Sequence, residues 1–411
     1  MRILFFSNVF PNPLEPHKGT FNLSALRALA EAHAVRVVSP VAWTKELAAF
    51  LGGIRGIDRR QPAFLGGPWA EYPRFYYPPK ILRTSYEPFL RCSVGRTFRR
   101  AAESFRPDAI LSYWAHPDGA VATWLARRIG VPSVVMVGGS DVLLLARRGR
   151  RRAIVKSLDS ADAVITVSRH LADYIVRAGI PHEKVHVVHR GVDRALFRPF
   201  SREAARRKLG IDPETKVLVS VGRLVPVKGF SVLIEACRVL REWDERIACY
   251  VLGGGPLERA LRRQVERNGL DGIVRLCGPQ RQQELARWYQ AADLAVLPSL
   301  SEGIPNVLLE AMACGTPFVG SAVGGVPEIA DPHCDRLVPP GDAVKLAEAV
   351  RSRLEQRNGV GPRRFEPLSW CESAAGLAAV IEATRSVRTA SKREHDLRSA
   401  ERGAEKLAAN L

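Results

Sequence analysis

Short apolar runs alternate along the chain with longer segments in which apolar residues recur at helical spacing. The apolar runs predict strands over residues 3–6, 35–38, 109–111, 134–137, 163–167 and 185–188, and again over 217–221, 248–252, 273–276, 294–297 and 317–320. The helical segments cover residues 21–32, 119–129, 231–241, 256–268, 282–291, 305–314, 343–353 and 368–385. Near-continuous apolar strands that alternate with helices are typical of parallel sheets covered on both faces. The pattern therefore predicts an α/β protein with two doubly wound, Rossmann-like domains.

A polar stretch over residues 194–213 separates the two halves of this pattern. A chain of 411 residues also exceeds what one hydrophobic core usually supports. We therefore predict a first domain over residues 1–196 and a second over 197–366. A C-terminal helix over residues 367–387 follows, and one option is that it crosses back to the first domain. A mixed-charge tail, either frayed or disordered or a solvated helix, occupies residues 388–411.

The positive charge of the chain is concentrated in its first half. Of the net +19, residues 1–200 hold 30 Lys and Arg against 15 Asp and Glu, and residues 201–411 hold 31 against 27. Such an imbalance indicates an acidic partner of the first half: anionic lipid, anionic carbohydrate or nucleic acid. The basic, aromatic segment 83–106 is either a solvated helix face or a membrane-surface element whose apolar residues enter the lipid interface. The charge surplus favours the membrane, and a second basic segment covers residues 147–156.

Several features predict a cytoplasmic protein. No run approaches the roughly 20 apolar residues of a membrane-spanning helix. The N-terminus becomes polar too soon for a secretory signal. The seven Cys are scattered, without a C-x-x-C pair, so neither a disulfide framework nor a zinc site is expected.

Two carboxylates eight positions apart, Glu302 and Glu310, flank a loop that turns into an apolar helix. Pro305 suits the start of that helix, and Gly315 and Pro317 suit its end. The free N–H groups of a first helical turn favour an anion, and carboxylates accept hydrogen bonds from hydroxyls. The segment therefore suits a ligand that combines hydroxyls with phosphate, such as a sugar–diphosphate–nucleoside.

A pair of cations follows the first strand of the second half. Arg223 follows the strand over residues 217–221 after one glycine, and Lys228 comes five positions later. Arg and Lys neutralise a departing diphosphate in some sites where others use a metal. Because the chain has no Asp-x-Asp pair, we expect neither a metal nor another cofactor. The alternative is an Arg–Lys pair on a solvated loop, which leaves the Glu302–Glu310 segment unexplained.

Four motifs in this order resemble those of the retaining glycosyltransferases of family 4, which have the two-domain GT-B fold. They are Gly222-Arg223-Leu224 with Lys228-Gly229, Gly253-Gly254-Gly255-Pro256-Leu257, Pro298-Ser299, and the Glu302 to Glu310 segment. The first half is similar, more loosely, to enzymes of bacterial exopolysaccharide and teichuronic acid synthesis. The resemblance implies that the first domain binds an acceptor, that the second binds a nucleotide sugar, and that the two face a central cleft.

The same resemblance assigns roles to residues of the second half. Arg223 and Lys228 would hold the donor diphosphate, and Glu302 would bind hydroxyls of the donor sugar. Glu310 would bind the ribose diol, and residues 276–279 would lie along the base. The remaining implied donor contacts are Gly222, Gly278, Gly303, Ile304, Asn306 and Val307.

In the first half the resemblance implies that His116 reaches the donor sugar. Gly19 would approach the donor phosphate, although this chain has one glycine where related enzymes often have two. On the acceptor side we expect His17, Lys18 and Asp141. The family often has a His at the position where this chain has Val137 before Gly138. Which residue of this chain takes over the role of that His is left open.

We therefore predict a retaining, metal-independent glycosyltransferase that moves a hexose-type sugar from a UDP- or GDP-sugar to a hydroxyl of a glycan or lipid-linked glycan. It would act in cell-surface polysaccharide synthesis, with its basic first domain on the inner face of the plasma membrane. One alternative is a nucleotide-sugar epimerase of the same architecture. Another is a basic nucleic-acid-binding protein, but no nucleic-acid module is recognisable and we expect no such partner.

Overall fold

The computed structural model describes residues 1–408, apart from residues 55, 63–66, 80, 140–142, 147, 244–245 and 357–362. The chain forms two compact units. The first contains Met1–Val167, Ala172–Val188 and the chain from Cys371 on, and the second contains Ser168–Leu171 and His189–Trp370. The chain thus changes unit after Val188, before the predicted boundary at residue 196.

The first unit is built on one large sheet. Its strands are β1 (Arg2–Phe6), β2 (Ala34–Val38), β4 (Arg60–Pro62), β5 (Trp69–Glu71), β7 (Ala109–Tyr113), β8 (Ser133–Val137), β9 (Ala163–Thr166) and β10 (Val185–Val187). Their spatial order is β10-β9-β8-β7-β1-β2-β5-β4, and only β4 and β5 pair antiparallel. A small ribbon pairs β3 (Val41–Ala42) with β6 (Arg74–Phe75). The strands β3 to β6 were not predicted, because each has only two or three residues and is too short to form an apolar run.

The second unit repeats the plan with six parallel strands. They are β12 (Lys216–Val221), β13 (Ile247–Leu252), β14 (Val274–Gly278), β15 (Leu294–Leu297), β16 (Phe318–Ser321) and β17 (Arg336–Val338). Their order is β14-β13-β12-β15-β16-β17. A further parallel pair joins β11 (Gly191–Val192) to β18 (Leu368–Ser369). The prediction of two doubly wound domains is confirmed.

Helices connect the strands in both units. Those up to residue 177 are α1 (Thr20–Ala30), α2 (Trp43–Leu51), α3 (Tyr86–Phe105), α4 (Ala120–Ile129), α5 (Arg148–Ser160) and α6 (Arg169–Arg177). Those after it are α7 (Arg202–Leu209), α8 (Phe230–Arg241), α9 (Glu258–Arg267), α10 (Gln282–Ala291), α11 (Asn306–Ala313), α12 (Val326–Ile329), α13 (Ala343–Glu355) and α14 (Trp370–Ala408). None of the helices in the described part of the chain combines the length and apolar character needed to cross a bilayer.

The order of strands reverses once in each sheet. In the first unit the reversal lies between β1 and β7, and in the second it lies between β12 and β15. Loops that leave such neighbouring strands at their carboxyl ends diverge and leave a crevice, where open α/β sheets bind ligands. The topology therefore points to the loops after these four strands.

Helix α3 carries the basic, aromatic segment considered above as a membrane-surface element. Its apolar side chains Leu90, Val94 and Phe98 are fully buried, and the ring of Phe98 stacks on that of Phe6 at 4.4 Å. The prediction that these apolar residues enter a lipid interface is therefore wrong, because the sheet of the first unit occupies that face. The side of α3 that meets solvent is basic and includes Arg96 and Arg99.

The last helix, α14, packs on the first unit. Arg388 pairs with Asp162 at 3.0 Å, and the thiol of Cys371 lies 3.5 Å from the carboxylate of Glu31. The helix continues to Ala408, so the predicted end near residue 385 is wrong. Residues 388–408, which the sequence suggested were a frayed tail or a solvated helix, are helical in backbone.

The burial of α3 predicts unequal effects of two Phe substitutions on one helix. Phe98→Ala removes a fully buried ring and is expected to lower the free energy of unfolding by about 3 kcal/mol or more. Phe89→Ala removes a ring that is 36% exposed and serves as the control, with an expected loss below about 1 kcal/mol. Urea denaturation followed by fluorescence measures both, and equal losses would contradict this placement of α3.

Candidate functional site

The loops after β12 and β15 lie against each other, as the strand order requires. The amide of Leu300 donates to the carbonyl of Val227 at 2.8 Å, which joins the two loops directly. The loop after β12 carries Arg223 and Lys228, and the loop after β15 carries Glu302. The fold therefore brings together the two motifs to which the family resemblance assigns donor binding.

Lys228 and Glu302 form an ion pair. The Nζ atom of Lys228 lies 2.6 Å from Oε1 of Glu302, and the hydroxyl of Ser299 donates to the same oxygen at 2.7 Å. The side chain of Glu302 is only 8% exposed and that of Lys228 is 27% exposed. A carboxylate that is largely removed from water needs such partners, so each residue holds the other in place. Arg223 is exposed five residues before Lys228 on the same loop, and no ion pair of Arg223 is found within the described residues.

The backbone around Glu302 is held by a turn that precedes α12. The amide of Gly325 donates to the carbonyl of Gly303 at 2.7 Å. Gly324 has a φ of +55°, and a Cβ atom there would overlap the carbonyl oxygen of Glu302. Only glycine fits such a close approach in the left-handed region, so the turn fixes the path of the Glu302 loop.

Helix α11 begins directly after this loop, with Pro305 at its N-cap and no acidic residue in its first turn. The amides of Asn306 and Val307 belong to the first turn, where N–H groups have no partner within the helix. The side chain of Asn306 accepts a hydrogen bond from Arg190 at 3.3 Å. Gly303, Ile304, Asn306 and Val307 thus lie together at a helix start, and Arg190 adds a cation there that sequence reasoning missed.

Glu310 lies on α11, about one helical turn after Asn306. Its Oε2 atom accepts a hydrogen bond from the hydroxyl of the buried Tyr289 at 3.2 Å. Burial raises the pKa of Glu310 from its ordinary 4.5 to about 8, against the opposing effect of the Tyr289 bond. This carboxyl is therefore protonated at neutral pH. Tyr289 was also missed, because it is distant in sequence on α10.

The glycine-rich loop after β13 lies beside the loop after β12. The amide of Leu224 donates to the carbonyl of Gly254 at 3.0 Å, and that of Gly222 donates to Leu252 at 2.9 Å. On its other side, the amide of Gly253 donates to the carbonyl of Gly278 at 2.9 Å. Gly222 and Gly278 therefore lie on either side of the end of β13, on the same edge of the sheet as Arg223.

In the first unit, the ends of β1 and β7 are joined by the buried carboxylate of Asp118. It accepts hydrogen bonds from the backbone amide of Asn8 at 3.2 Å, from the side chain of Asn8 at 3.1 Å, and from Ser7 at 3.4 Å. Burial raises the pKa of Asp118 to about 7 despite these donors. Asp118 fixes the segment that carries His116, a link that the sequence alone did not indicate.

His116 faces a cavity of about 680 Å³ in the first unit. Burial first, and then the positive charge of Arg150, lower the pKa of His116 to about 4, so its ring is neutral at physiological pH. Its Nε2 atom is buried and has no hydrogen-bond partner among the residues described. A buried, unpaired ring nitrogen next to a cavity is available to a ligand.

The lining of this cavity is aromatic and cationic. It includes Tyr77, Tyr86 and Trp114 together with Lys18, Lys45 and Arg150, and one carboxylate, Glu15. Glu15 lies 3.3 Å from the Nζ atom of Lys18 and 3.1 Å from that of Lys45. Two positive charges therefore share one negative charge, and the cavity retains a positive excess.

The structure places the other residues named in the first half differently from one another. Gly19 is the N-cap of α1 and has a φ of +65°. A Cβ atom there would overlap the carbonyl oxygen of Val9, so the backbone of the first unit requires a glycine at this position. Lys18 lines the cavity, whereas His17 is exposed and does not. Asp141 lies outside the described residues.

The raised pKa of Glu310 predicts a pH dependence of stability. Between pH 4.5 and about 8 the folded protein holds a proton that the unfolded chain has released, so stability falls as pH rises through this window. The unfolding free energy of the wild type should therefore fall relative to that of Glu310→Gln between about pH 5 and 8, by at most about 1.4 kcal/mol per pH unit. Thermal or urea unfolding across this range measures the difference, and a constant difference would contradict the assignment.

Family models match both units. The model described as Glycosyltransferase Family 4 matches residues 19–196, and that described as Glycosyl transferases group 1 matches residues 201–364. D-inositol 3-phosphate glycosyltransferase 2 of Catenulispora acidiphila is 36% identical over 67% of this chain and 71% of its own length. The putative teichuronic acid biosynthesis glycosyltransferase TuaC of Bacillus subtilis is 27% identical over 85% of this chain and 88% of its own.

Solved structures show the same fold. Anabaena Alr3699/HepE, determined in complex with UDP and glucose, aligns with a TM-score of 0.66 at 19% identity over 96% of this chain and 100% of that one. Sucrose-phosphate synthase from Thermosynechococcus elongatus aligns with a TM-score of 0.69 at 19% identity over 97% and 99%. The fold is therefore GT-B, and the chain belongs to the glycosyltransferases that combine a Glycosyltransferase Family 4 domain with a group 1 domain.

Proposed function

We propose that this glycosyltransferase transfers a sugar from a nucleoside diphosphate donor, with retention of configuration, to a hydroxyl of an anionic, lipid-linked glycan. The observation that carries the donor half is the meeting of Lys228, Glu302 and the start of α11 at one edge of the second sheet. That edge offers cations and free amides for phosphate, next to a carboxylate for hydroxyls.

The ion pair indicates how the donor would be received. In the protein without ligand, Lys228 and Glu302 satisfy each other. A bound diphosphate would form an ion pair with the ammonium of Lys228. Hydroxyls of the sugar would donate to Glu302 and lie next to the hydroxyl of Ser299. Both charges then exchange one partner for another, so neither is left unpaired when the donor binds. The exposed Arg223 is the second cation for the diphosphate.

The nucleoside would lie further along α11. A ribose diol would donate hydrogen bonds to Glu310, whose raised pKa of about 8 favours the protonated carboxyl before the donor binds. The bound hydroxyls would stabilise the carboxylate, and the carboxyl would release its proton to solvent. Tyr289 would keep its hydrogen bond and orient the carboxylate. The base would lie along residues 276–279, at the end of β14 where Gly278 bonds Gly253.

In the transfer itself, the bond between the anomeric carbon and the diphosphate oxygen breaks and the acceptor oxygen attacks on the same face. The departing diphosphate takes the electron pair, and Arg223, Lys228 and the amides of Asn306 and Val307 stabilise its growing charge. Its phosphate oxygen takes the proton of the acceptor hydroxyl, so no side-chain base is needed. Because these cations belong to the chain, the proposed mechanism uses no metal. His116 is neutral and would offer its free ring nitrogen to a sugar hydroxyl.

The cavity of the first unit is our proposed acceptor site. Its aromatic side chains suit the apolar faces of sugars, and its positive excess suits an anionic group. A phosphorylated inositol appears in the name of one relative and teichuronic acid in that of another, which supports an anionic acceptor. We propose that the enzyme works in the cytoplasm at the inner face of the plasma membrane, where the basic first unit attracts anionic lipid.

A direct test mixes the purified protein with UDP- and GDP-sugars and follows nucleotide release. Lys228→Ala and Glu302→Ala are each expected to lower turnover by about 100-fold or more, because each removes charge stabilisation at the donor. Lys345→Ala is the matched control, since Lys345 forms an ion pair of 2.9 Å with Glu348 on the surface of the same unit.

Two outcomes would overturn the proposal. One is wild-type turnover in folded Lys228→Ala and Glu302→Ala. The other is a new nucleotide sugar formed without any acceptor, which would identify an epimerase instead.

A further inference from the structure

Helix α2 and the loop after it expose an apolar surface. None of the residues of α2 is buried, and Leu47, Phe50 and Leu51 on the helix and Ile54 in the loop are all exposed. The exposed fractions of Phe50 and Leu51 reach 63% and 77%. We call these four residues the α2 surface. Contiguous exposed apolar side chains of this size mark a contact with something apolar.

The α2 surface adjoins the proposed acceptor cavity. Thr44 and Lys45, in the first turn of α2, line that cavity. Leu47, Phe50 and Ile54 line a second hollow of about 390 Å³. The same helix therefore forms a wall of the acceptor cavity and presents apolar side chains to solvent.

A basic helix borders the cavity as well. Arg150 of α5 lines the cavity, and its neighbours Arg148, Arg151 and Arg152 are exposed. The segment between Pro79 and Tyr86, which both line the cavity, exposes Ile81 and Leu82. Exposed apolar residues next to exposed arginines are the combination found in proteins that lie in a membrane interface.

We propose that the α2 surface inserts into the interface of an anionic phospholipid membrane, with the arginines of α5 at the headgroups. The charge of the first half, 30 Lys and Arg against 15 Asp and Glu, favours anionic lipid over a second copy of this equally basic unit. This inference rests on the proposed function in one respect: membrane contact through α2 would bring the acceptor cavity next to the head of a lipid-linked acceptor. It also replaces the membrane contact through the apolar face of α3, which is buried.

The test is co-sedimentation of the full chain with vesicles of phosphatidylcholine, alone or mixed with phosphatidylglycerol in equal parts. The wild type is expected to bind the mixed vesicles. The double variant Phe50→Asp with Leu51→Asp should bind them at least about tenfold more weakly, because apolar insertion is lost. The control carries the same charge change at Phe200→Asp and Val344→Asp, which are 54% and 52% exposed in the second unit, and should bind as the wild type does.

A second variant separates the two contributions. Replacing Arg148, Arg151 and Arg152 by Ser should weaken binding at low salt and have little effect at high salt, where charge attraction is screened. Equal vesicle binding by the wild type and the Phe50, Leu51 variant would overturn the proposal. The proposal would also be overturned if light scattering showed that the wild type is a dimer, that the Phe50, Leu51 variant is a monomer, and that neither protein binds vesicles.

Nucleotide binding in solution, measured on the same variants by calorimetry, keeps the two proposals apart. The α2 variants should bind UDP or GDP as the wild type does. Vesicle binding without any nucleotide affinity would support the membrane contact and refute the proposed function. Nucleotide affinity without vesicle binding would support the proposed function and refute the membrane contact.

Discussion

The ion pair between Lys228 and Glu302 is the interaction on which the site of the second unit depends. It joins the loops that leave β12 and β15, the two strands at which the order of the sheet reverses. Because Glu302 is largely removed from water, its charge is tolerable only while Lys228 and Ser299 contact it. The turn at Gly324 and Gly325 fixes the backbone around this carboxylate, and α11 starts directly after it. A donor that supplies phosphate to the cation and hydroxyls to the carboxylate would replace both halves of the pair.

Two carboxylates on one short segment acquire different properties from their surroundings. Glu302 faces the ammonium group of Lys228 and the hydroxyl of Ser299, whereas Glu310 accepts a hydrogen bond from the buried Tyr289. Burial raises the pKa of Glu310 to about 8. The same principle acts in the first unit, where burial leaves His116 neutral and raises the pKa of Asp118 to about 7. Burial therefore favours the neutral form of each of these three groups.

Much of the fold could be predicted because its signals are local. Apolar runs marked the strands of both large sheets, and Gly315 has the positive φ expected of a residue that ends a helix. Failures came where a property depends on what packs across the fold. The sequence of α3 shows arginines among apolar residues but not which side meets the sheet, so the face given to the membrane was the buried one. For residues 388–408 the sequence left a frayed tail and a solvated helix open, since few apolar side chains mark that part of α14.

The candidate site likewise combines features with local sequence signals and features that depend on contacts across the fold. Its motif residues could be named from the sequence, but their partners could not, because Arg190, Tyr289 and Asp118 are distant in sequence from the groups that they contact. The central claim is that Lys228 and Glu302 act as one unit in donor binding. Calorimetry of nucleotide-sugar binding to the wild type, Lys228→Met, Glu302→Gln and the double variant tests it most directly. Each single variant leaves one charge unpaired, so the double variant should lose at least about 1 kcal/mol less binding free energy than the sum of the single losses. Losses that add to within about 0.3 kcal/mol would contradict the claim.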